Sequence, residues 1–235
     1  RETIVIEDLM IKATGEDVND GCSAAAAAAA TQENATTATL VMTAHNFIDL
    51  KIMADPMITL QLSALEWTRA QTQRFTSLLG MGLVVGRQIT ARTIDALGVH
   101  GHTTFTHAVT VVSDLLVGVF PSTLTMLANG VLGGWVGSQR THCVKQMSTN
   151  LCLATGRFGK GELSGLQANL RALCVSIGPF VYAALAARGF KRGRPGLAFV
   201  LSAGICVVAE WLHRRLQRGL RRRAEAGAQA EVMAS

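Results

Sequence analysis

Residues Gly161–Gly189, GELSGLQANLRALCVSIGPFVYAALAARG, decide the fold of this chain. They open with a small, polar segment and continue as an apolar run of about twenty-five residues, which is long enough to cross a hydrocarbon core of ~30 Å. Arg171 is embedded in this run, and Pro179 follows Gly178 past its middle. Neighbouring membrane helices can re-satisfy the carbonyl that a proline leaves free. The run therefore predicts a membrane helix kinked at Gly178 and Pro179, with a buried core helix of a soluble protein as the alternative.

The composition favours a membrane protein, although no single window is overwhelmingly apolar. The chain has 235 residues, of which 49% are hydrophobic and 16% charged. Soluble domains carry about 25% charged residues. The mean hydropathy is +0.30. The five cysteines show neither a CxxC pair nor a metal-ligand spacing, so we expect them to be small core residues and we predict no metal site.

The formal net charge of +6 comes mostly from the end of the chain, where six arginines lie between residues 214 and 223. No aromatic residue follows Trp211, so this segment offers no platform on which bases could stack. We therefore predict no nucleic-acid partner. Because the basic segment directly follows an apolar run, it is predicted to be a juxtamembrane anchor facing anionic lipid.

Several short motifs resemble the major facilitator superfamily of transporters. Residues 161–165 followed by Gly-Pro-Phe at 178–180 resemble the eleventh transmembrane helix of that superfamily, and the nearest likeness is to its tetracycline-efflux-like, drug:H+ antiporter branch. Residues 1–4 resemble the segment after the sixth helix, and residues 65–67 resemble the turn between the seventh and eighth helices. The resemblance implies an all-α membrane protein with a bundle of six transmembrane helices, the C-terminal half of a major facilitator fold. The N-terminal six-helix half is then an expected partner, and the chain is expected to be a fragment.

The predicted organisation has three regions. Residues 1–36 are acidic and polar with an alanine run, and are predicted to be a mostly disordered cytoplasmic linker, with a short helix as the alternative for part of it. Residues 37–213 are predicted to form the membrane half-bundle, and residues 214–235 a basic cytoplasmic tail. The first span is the least convincing because charges interrupt it. The six predicted spans cover 37–65, 75–97, 103–120, 123–147, 161–189 and 195–212.

Asp95 and Gly98 resemble the helix–loop gating motif between the eighth and ninth helices of the superfamily. In such a motif an acid and a glycine turn can lock neighbouring helix ends. The basic partners of the family pattern are missing here, because Ala96, Val99 and His100 stand in their places.

Ionisable residues within predicted spans are the candidate substrate and proton residues, because a charge inside a membrane helix is costly and by default suggests function. We predict Asp114 to be the proton site, with His102 and His107 nearby as relay partners. Arg140 and Arg171 are predicted to meet an anion or a counter-ion. The full set of pathway candidates is Arg87, Asp114, Arg140, His142 and Arg171.

The resemblance predicts a transporter rather than an enzyme. It would move a small solute or drug by alternating access, coupled to H+, in a lipid bilayer and without a cofactor. The alternative is a non-transporting helical membrane scaffold or subunit. A soluble helical enzyme is a third interpretation, but the sequence has no nucleotide loop, metal spacing or nucleophile elbow.

Overall fold

The computed structural model describes residues 21–53, 56–136, 140–153, 155 and 159–234. Within these ranges the chain is helical apart from short turns, and no strand occurs. The all-α class predicted from the sequence is therefore confirmed. The motif at residues 1–4 and the first part of the predicted linker lie outside the described ranges.

The first helix, α1 (Gly21–Met53), begins well before the span predicted from residue 37. Its alanine run has the highest intrinsic helix propensity. Asn34 and Ala35 are buried, and Ala35 packs with Cys152. The prediction of a mostly disordered linker is therefore wrong for residues 21–36. Helix propensity and contacts with later helices outweigh the polar composition of that segment.

The second half of the predicted 37–65 span contains two short helical elements. A short helix, α2 (Pro56–Thr59), is followed by one π-helical turn, Leu60–Ala64. Leu60 is buried in one cluster with Trp67 and Phe75. This segment therefore packs against the start of α3.

Gly98 divides the long helix α3 (Arg69–Val119) into a first arm, residues 69–97, and a second arm, residues 99–119. Its φ of +72° and ψ of 169° lie in a region that is essentially restricted to glycine. The hydroxyl of Thr93 lies 2.8 Å from Nδ1 of His102. In a straight helix, residues nine apart would be ~13.5 Å apart along the axis. The two arms therefore fold back on each other at Gly98.

The predicted 123–147 span begins as an α-helix and changes to a π-helix. Helix α4 (Thr123–Val131) opens with a capping box between Ser122 and Thr125, and passes into a π-helical segment, Leu132–Val136. Helix α5 (Arg140–Leu153) follows. The bulky Trp135 ring packs onto Gly82 of the first arm of α3, where an added Cβ would lie 2.1 Å from a ring carbon. The absence of a side chain at Gly82 thus permits this close contact.

The last two helices are the longest apolar ones. Helix α6 (Lys160–Lys191) contains Pro179 and remains helical through it. Helix α7 (Leu197–Ala234) continues far beyond the predicted end at residue 212. The tail predicted for residues 214–235 is thus a continuation of α7 as far as residue 234. It packs on α1, since Arg215 pairs with Glu33 at 2.6 Å.

Two sets of buried residues mark opposite ends of the structure. At one end, Phe75 near the start of α3 meets Val117 near its finish, together with Met126 and Phe199 from the starts of α4 and α7. At the other end, the first half of α1 meets the last turn of α5, the start of α6 and the second half of α7. These contacts join Ala35, Cys152 and Leu163, and also Ala38, Leu151 and Leu216. Successive long segments therefore run in alternating directions.

Part of the structure has an inverted distribution of residues, with polar side chains buried and large apolar side chains exposed. Phe180 is 78% exposed and Phe120 is 66% exposed, whereas Asp114 and His107 are buried. Soluble proteins rarely leave large contiguous apolar surfaces open to water. Two helices among the described residues are long and apolar enough to cross a membrane, Lys160–Lys191 and Leu197–Arg222. Length and composition therefore point weakly to a membrane protein, and the inverted distribution points the same way.

Candidate functional site

The second arm of α3 carries a polar face that points into the protein. Its buried side chains recur three or four residues apart, which places them on one side of a helix. The opposite side carries Phe105, Val112 and Val119, all exposed. The buried polar residues of the arm are His102, Thr103, Thr106, His107, Thr110, Ser113 and Asp114.

His107 joins three helices through its two ring nitrogens. Nδ1 lies 2.6 Å from Oε2 of Glu210 in α7. Nε2 lies 2.8 Å from Nε2 of His45 in α1. The two imidazole rings are stacked with their planes 20° apart. We call His45, His107 and Glu210 the histidine cluster.

The histidine cluster extends toward the arginine-rich part of α7. Arg214 donates from Nε to Oε1 of Glu210 at 2.7 Å, so the carboxylate is shared between an arginine and a histidine. The ring of His213 lies edge-on to His107, with centroids 5.9 Å apart, and 5.3 Å from the ring of His100. Four of the six histidines of the chain therefore lie in one connected group.

Arg140 forms a second site at the start of α5. Its guanidinium donates to Oδ1 of Asp49 at 2.7 Å and to the hydroxyl of Thr110 at 2.5 Å. Thr141 donates to the other oxygen of Asp49 at 2.5 Å. Arg140 is buried, whereas the Asp49 side chain is 41% exposed. We call Asp49, Thr110, Arg140 and Thr141 the arginine site.

The arginine site and the histidine cluster are adjacent. His45 and Asp49 lie four residues apart on α1, and His107 and Thr110 lie three apart on α3. Such spacings place the two sites on neighbouring turns of both helices. Farther along the second arm, Asp114 accepts a hydrogen bond from the side-chain amide of Asn129 at 2.8 Å. The buried polar groups thus form a chain along most of the arm.

Of the predicted pathway residues, Asp114 and Arg140 lie in this buried chain, whereas Arg87, His142 and Arg171 are exposed. The relay partners expected for Asp114 are placed differently. His102 bonds to Thr93, and His107 lies seven residues, or ~10.5 Å along the helix, from Asp114. The relay between Asp114 and these histidines stays a prediction.

The gating and kink residues have distinct environments. Asp95 is exposed and Gly98 forms the turn between the arms of α3. Gly178 is buried in α6, and Pro179 is partly buried beside it.

His45, Asp49 and Glu210 were not assigned to a site from the sequence. Spacing could have drawn attention to them, since each sits three or four residues from another ionisable side chain on its helix. Spacing along one helix does not show which other helix packs against it. In the part of the chain that is described, no three His, Cys, Asp or Glu side chains are arranged to hold a metal ion.

Comparisons with protein families, with curated proteins and with solved structures find no match to this chain.

Proposed function

We propose that this chain is the C-terminal half of a major facilitator type transporter, which moves a small solute or drug across a membrane by alternating access and is coupled to protons. The observation that carries the proposal is the buried chain of ionisable residues, together with the exposed apolar side chains on the second arm of α3, on α6 and on the first part of α7. A charged residue at a helix centre costs about 2.5–3.5 kcal/mol on membrane-insertion scales. Such groups persist where they serve a solute or proton pathway.

The alternating direction of the long segments supports a bundle of six membrane crossings. In this proposal the crossings are α1, the two arms of α3, the α4–α5 unit, α6 and α7. The last two are the helices that have the length and composition of a span. The others carry more polar residues, and these are turned inward on the second arm of α3.

The exposed ionisable residues within the helices have a role in this proposal. Arg87 and Arg171 lie far from the ends of their helices and are not buried in this chain. In two-half transporters, the substrate site lies at the midplane between the halves. We assign these two arginines to the surface that meets the other half and the solute.

A non-transporting scaffold is the second candidate. The observation that favours it is the packing of the end of α7 on α1, through Arg215 and Glu33, which gives the basic segment a structural role. A scaffold needs neither proton coupling nor a solute cavity, so transport measurements separate the two candidates.

Membrane topology is the first test. Single cysteines on a cysteine-free background are placed at exposed positions and labelled from each side of sealed vesicles. Six crossings require positions 29, 96, 160 and 229 to label from one side and positions 73 and 192 from the other. Labelling of 29 and 96 from opposite sides would overturn the six-crossing arrangement.

Transport is the second test, made with the complete two-half protein in proteoliposomes. A panel of solutes is screened for dissipation of an imposed pH gradient. Arg140→Gln is expected to abolish any solute-dependent signal, and Arg218→Gln, an exposed arginine on α7, is the matched control. No solute-dependent proton movement with any member of the panel would favour the scaffold.

A further inference from the structure

We propose that the histidine cluster, His45, His107 and Glu210, is a proton-binding relay that connects the protein interior with a groove on its outer side. The inference deepens the proposed transporter function and rests on it. A relay of this kind serves proton movement across a membrane. The proposal places the proton on the histidine cluster, whereas the sequence predicted Asp114 to be the proton site.

The hydrogen bonds fix where the protons sit. A carboxylate can only accept, so Nδ1 of His107 carries the hydrogen that points to Glu210. In neutral His107 the bare nitrogen is then Nε2, which accepts from Nε2–H of His45. Neutral His45 is left with a bare lone pair at Nδ1. That atom is buried and has no hydrogen-bond partner among the described residues.

Proton uptake follows from this arrangement. Nδ1 of His45 is closed off in this structure, so uptake requires a movement of the helices that admits a hydronium ion to it. The ion gives its proton to Nδ1, which forms an N–H bond, and a water molecule is left. The proton on Nε2 of His45 moves to Nε2 of His107. The product is neutral His45 beside cationic His107, and the new positive charge faces the carboxylate of Glu210.

The outer end of the relay opens on a surface groove between the second arm of α3 and α7. The groove is lined by Thr104, Ala108 and Val207, together with His107, Glu210 and Arg214. The Glu210 side chain is 17% exposed in this groove, and release of its proton requires water or a lipid headgroup there. Release of a proton through Glu210 leaves hydrogen on Nδ1 of His45 and on Nε2 of His107, which are the opposite tautomers of both rings. The rings must therefore return to their first arrangement before another proton passes.

Other charged and titratable groups face the cluster from every helix packed around it. Arg140 of α5 faces His45 and His107, and His213 of α7 faces both histidines and Glu210. Arg214 binds Glu210 directly, and His100 faces His213. The two arginines oppose a second positive charge in the cluster. We therefore expect it to bind about one proton at a time, as a coupled group.

The test uses the full chain in lipid nanodiscs, with nitrogen-15 labelled histidines. NMR at about pH 8 reports which ring nitrogen of each neutral histidine carries hydrogen. We expect hydrogen on Nδ1 of His107 and on Nε2 of His45. The reverse assignment at either ring would overturn the relay, and this measurement needs no variant.

Titration of the same samples tests the role of Glu210. In Glu210→Gln the carboxamide oxygen still accepts from His107, but the negative charge that stabilises cationic His107 is absent. Protonation of the cluster should then need about a tenfold or higher proton concentration. The matched control is Glu162→Gln, an exposed glutamate on α6, which should leave the His45 and His107 signals unchanged. An unchanged titration of His107 in Glu210→Gln would also overturn the relay.

These measurements involve no solute and no transport. A correct tautomer pattern in a protein that moves no solute would count against the proposed function and leave the relay standing. A wrong pattern in a protein that transports would do the opposite.

Discussion

Arg140 carries a buried positive charge, and the carboxylate of Asp49 compensates it. Asp49→Asn should destabilise the protein by about 1–3 kcal/mol, less than the 3–5 kcal/mol of a fully buried pair, because Asp49 is partly exposed. Unfolding in mild detergent, followed by the accessibility of the buried Cys152 thiol, measures the loss.

The control for that change is Glu33→Gln, which removes the exposed ion pair with Arg215. Exposed pairs contribute about 0–1 kcal/mol, so little change is expected. The double variant Asp49→Leu/Arg140→Met should recover much of the stability lost in Asp49→Asn, since it leaves no buried charge. Equal losses in Asp49→Asn and Glu33→Gln would contradict a structural role for the arginine site.

Asp114→Asn removes a negative charge and keeps a side-chain oxygen that can accept from Asn129. If Asp114 is the proton site that the sequence predicts, the pH dependence of transport by the complete protein should disappear. If the histidine cluster carries the proton, the pH dependence should persist. Transport rates across a series of imposed pH gradients measure this. A wild-type pH dependence in the variant would remove Asp114 from the proton pathway.

At the scale of one element, the turn at Gly98 decides whether α3 is one helix or two. A Cβ added there would meet no atom within 4 Å, so any cost of Gly98→Ala comes from the backbone alone. That cost should be about 1–3 kcal/mol, because the conformation is essentially restricted to glycine. Gly80→Ala is the matched control. It also has open space around it, but it lies inside a helix and should be neutral or slightly stabilising. Similar unfolding midpoints for the two variants would argue against a strained turn.

The proline of α6 is the second element-scale feature. Pro179 lies inside a 32-residue helix and removes one backbone donor. Pro179→Ala should leave membrane insertion intact, straighten the helix and change the transport kinetics of the complete protein. The readout is the rate of solute movement at matched protein levels. Kinetics identical to those of the unchanged protein would exclude a gating role for the kink.

At the scale of the whole molecule, the apolar outer surface separates a membrane protein from a soluble one. Ile177 is 45% exposed near the middle of α6. In a bilayer, Ile177→Lys should weaken insertion by about 3 kcal/mol. In water the same change would improve solubility. Extraction of isolated membranes with alkaline carbonate measures the retained fraction, with Arg188→Lys as the control of unchanged charge. Greater solubility and unchanged folding of Ile177→Lys without membranes would refute the membrane assignment.

The sequence by itself determined the helical class, the long apolar helices α6 and α7, and the identity of the ionisable residues inside apolar runs. These features depend on local composition and on spacing along one helix. It also located the turn at Gly98 through the glycine itself. Two of the five predicted pathway residues, Asp114 and Arg140, lie in the buried chain.

Only the tertiary structure decided which charges meet. His45 and His107 are 62 residues apart in sequence, and Asp49 and Arg140 are 91 apart. Their pairing depends on how each helix is rotated about its axis and on which neighbour it packs against, and no local propensity fixes either. The early start of α1 also depends on tertiary structure, because its polar first half is stabilised by contacts with residues far along the chain.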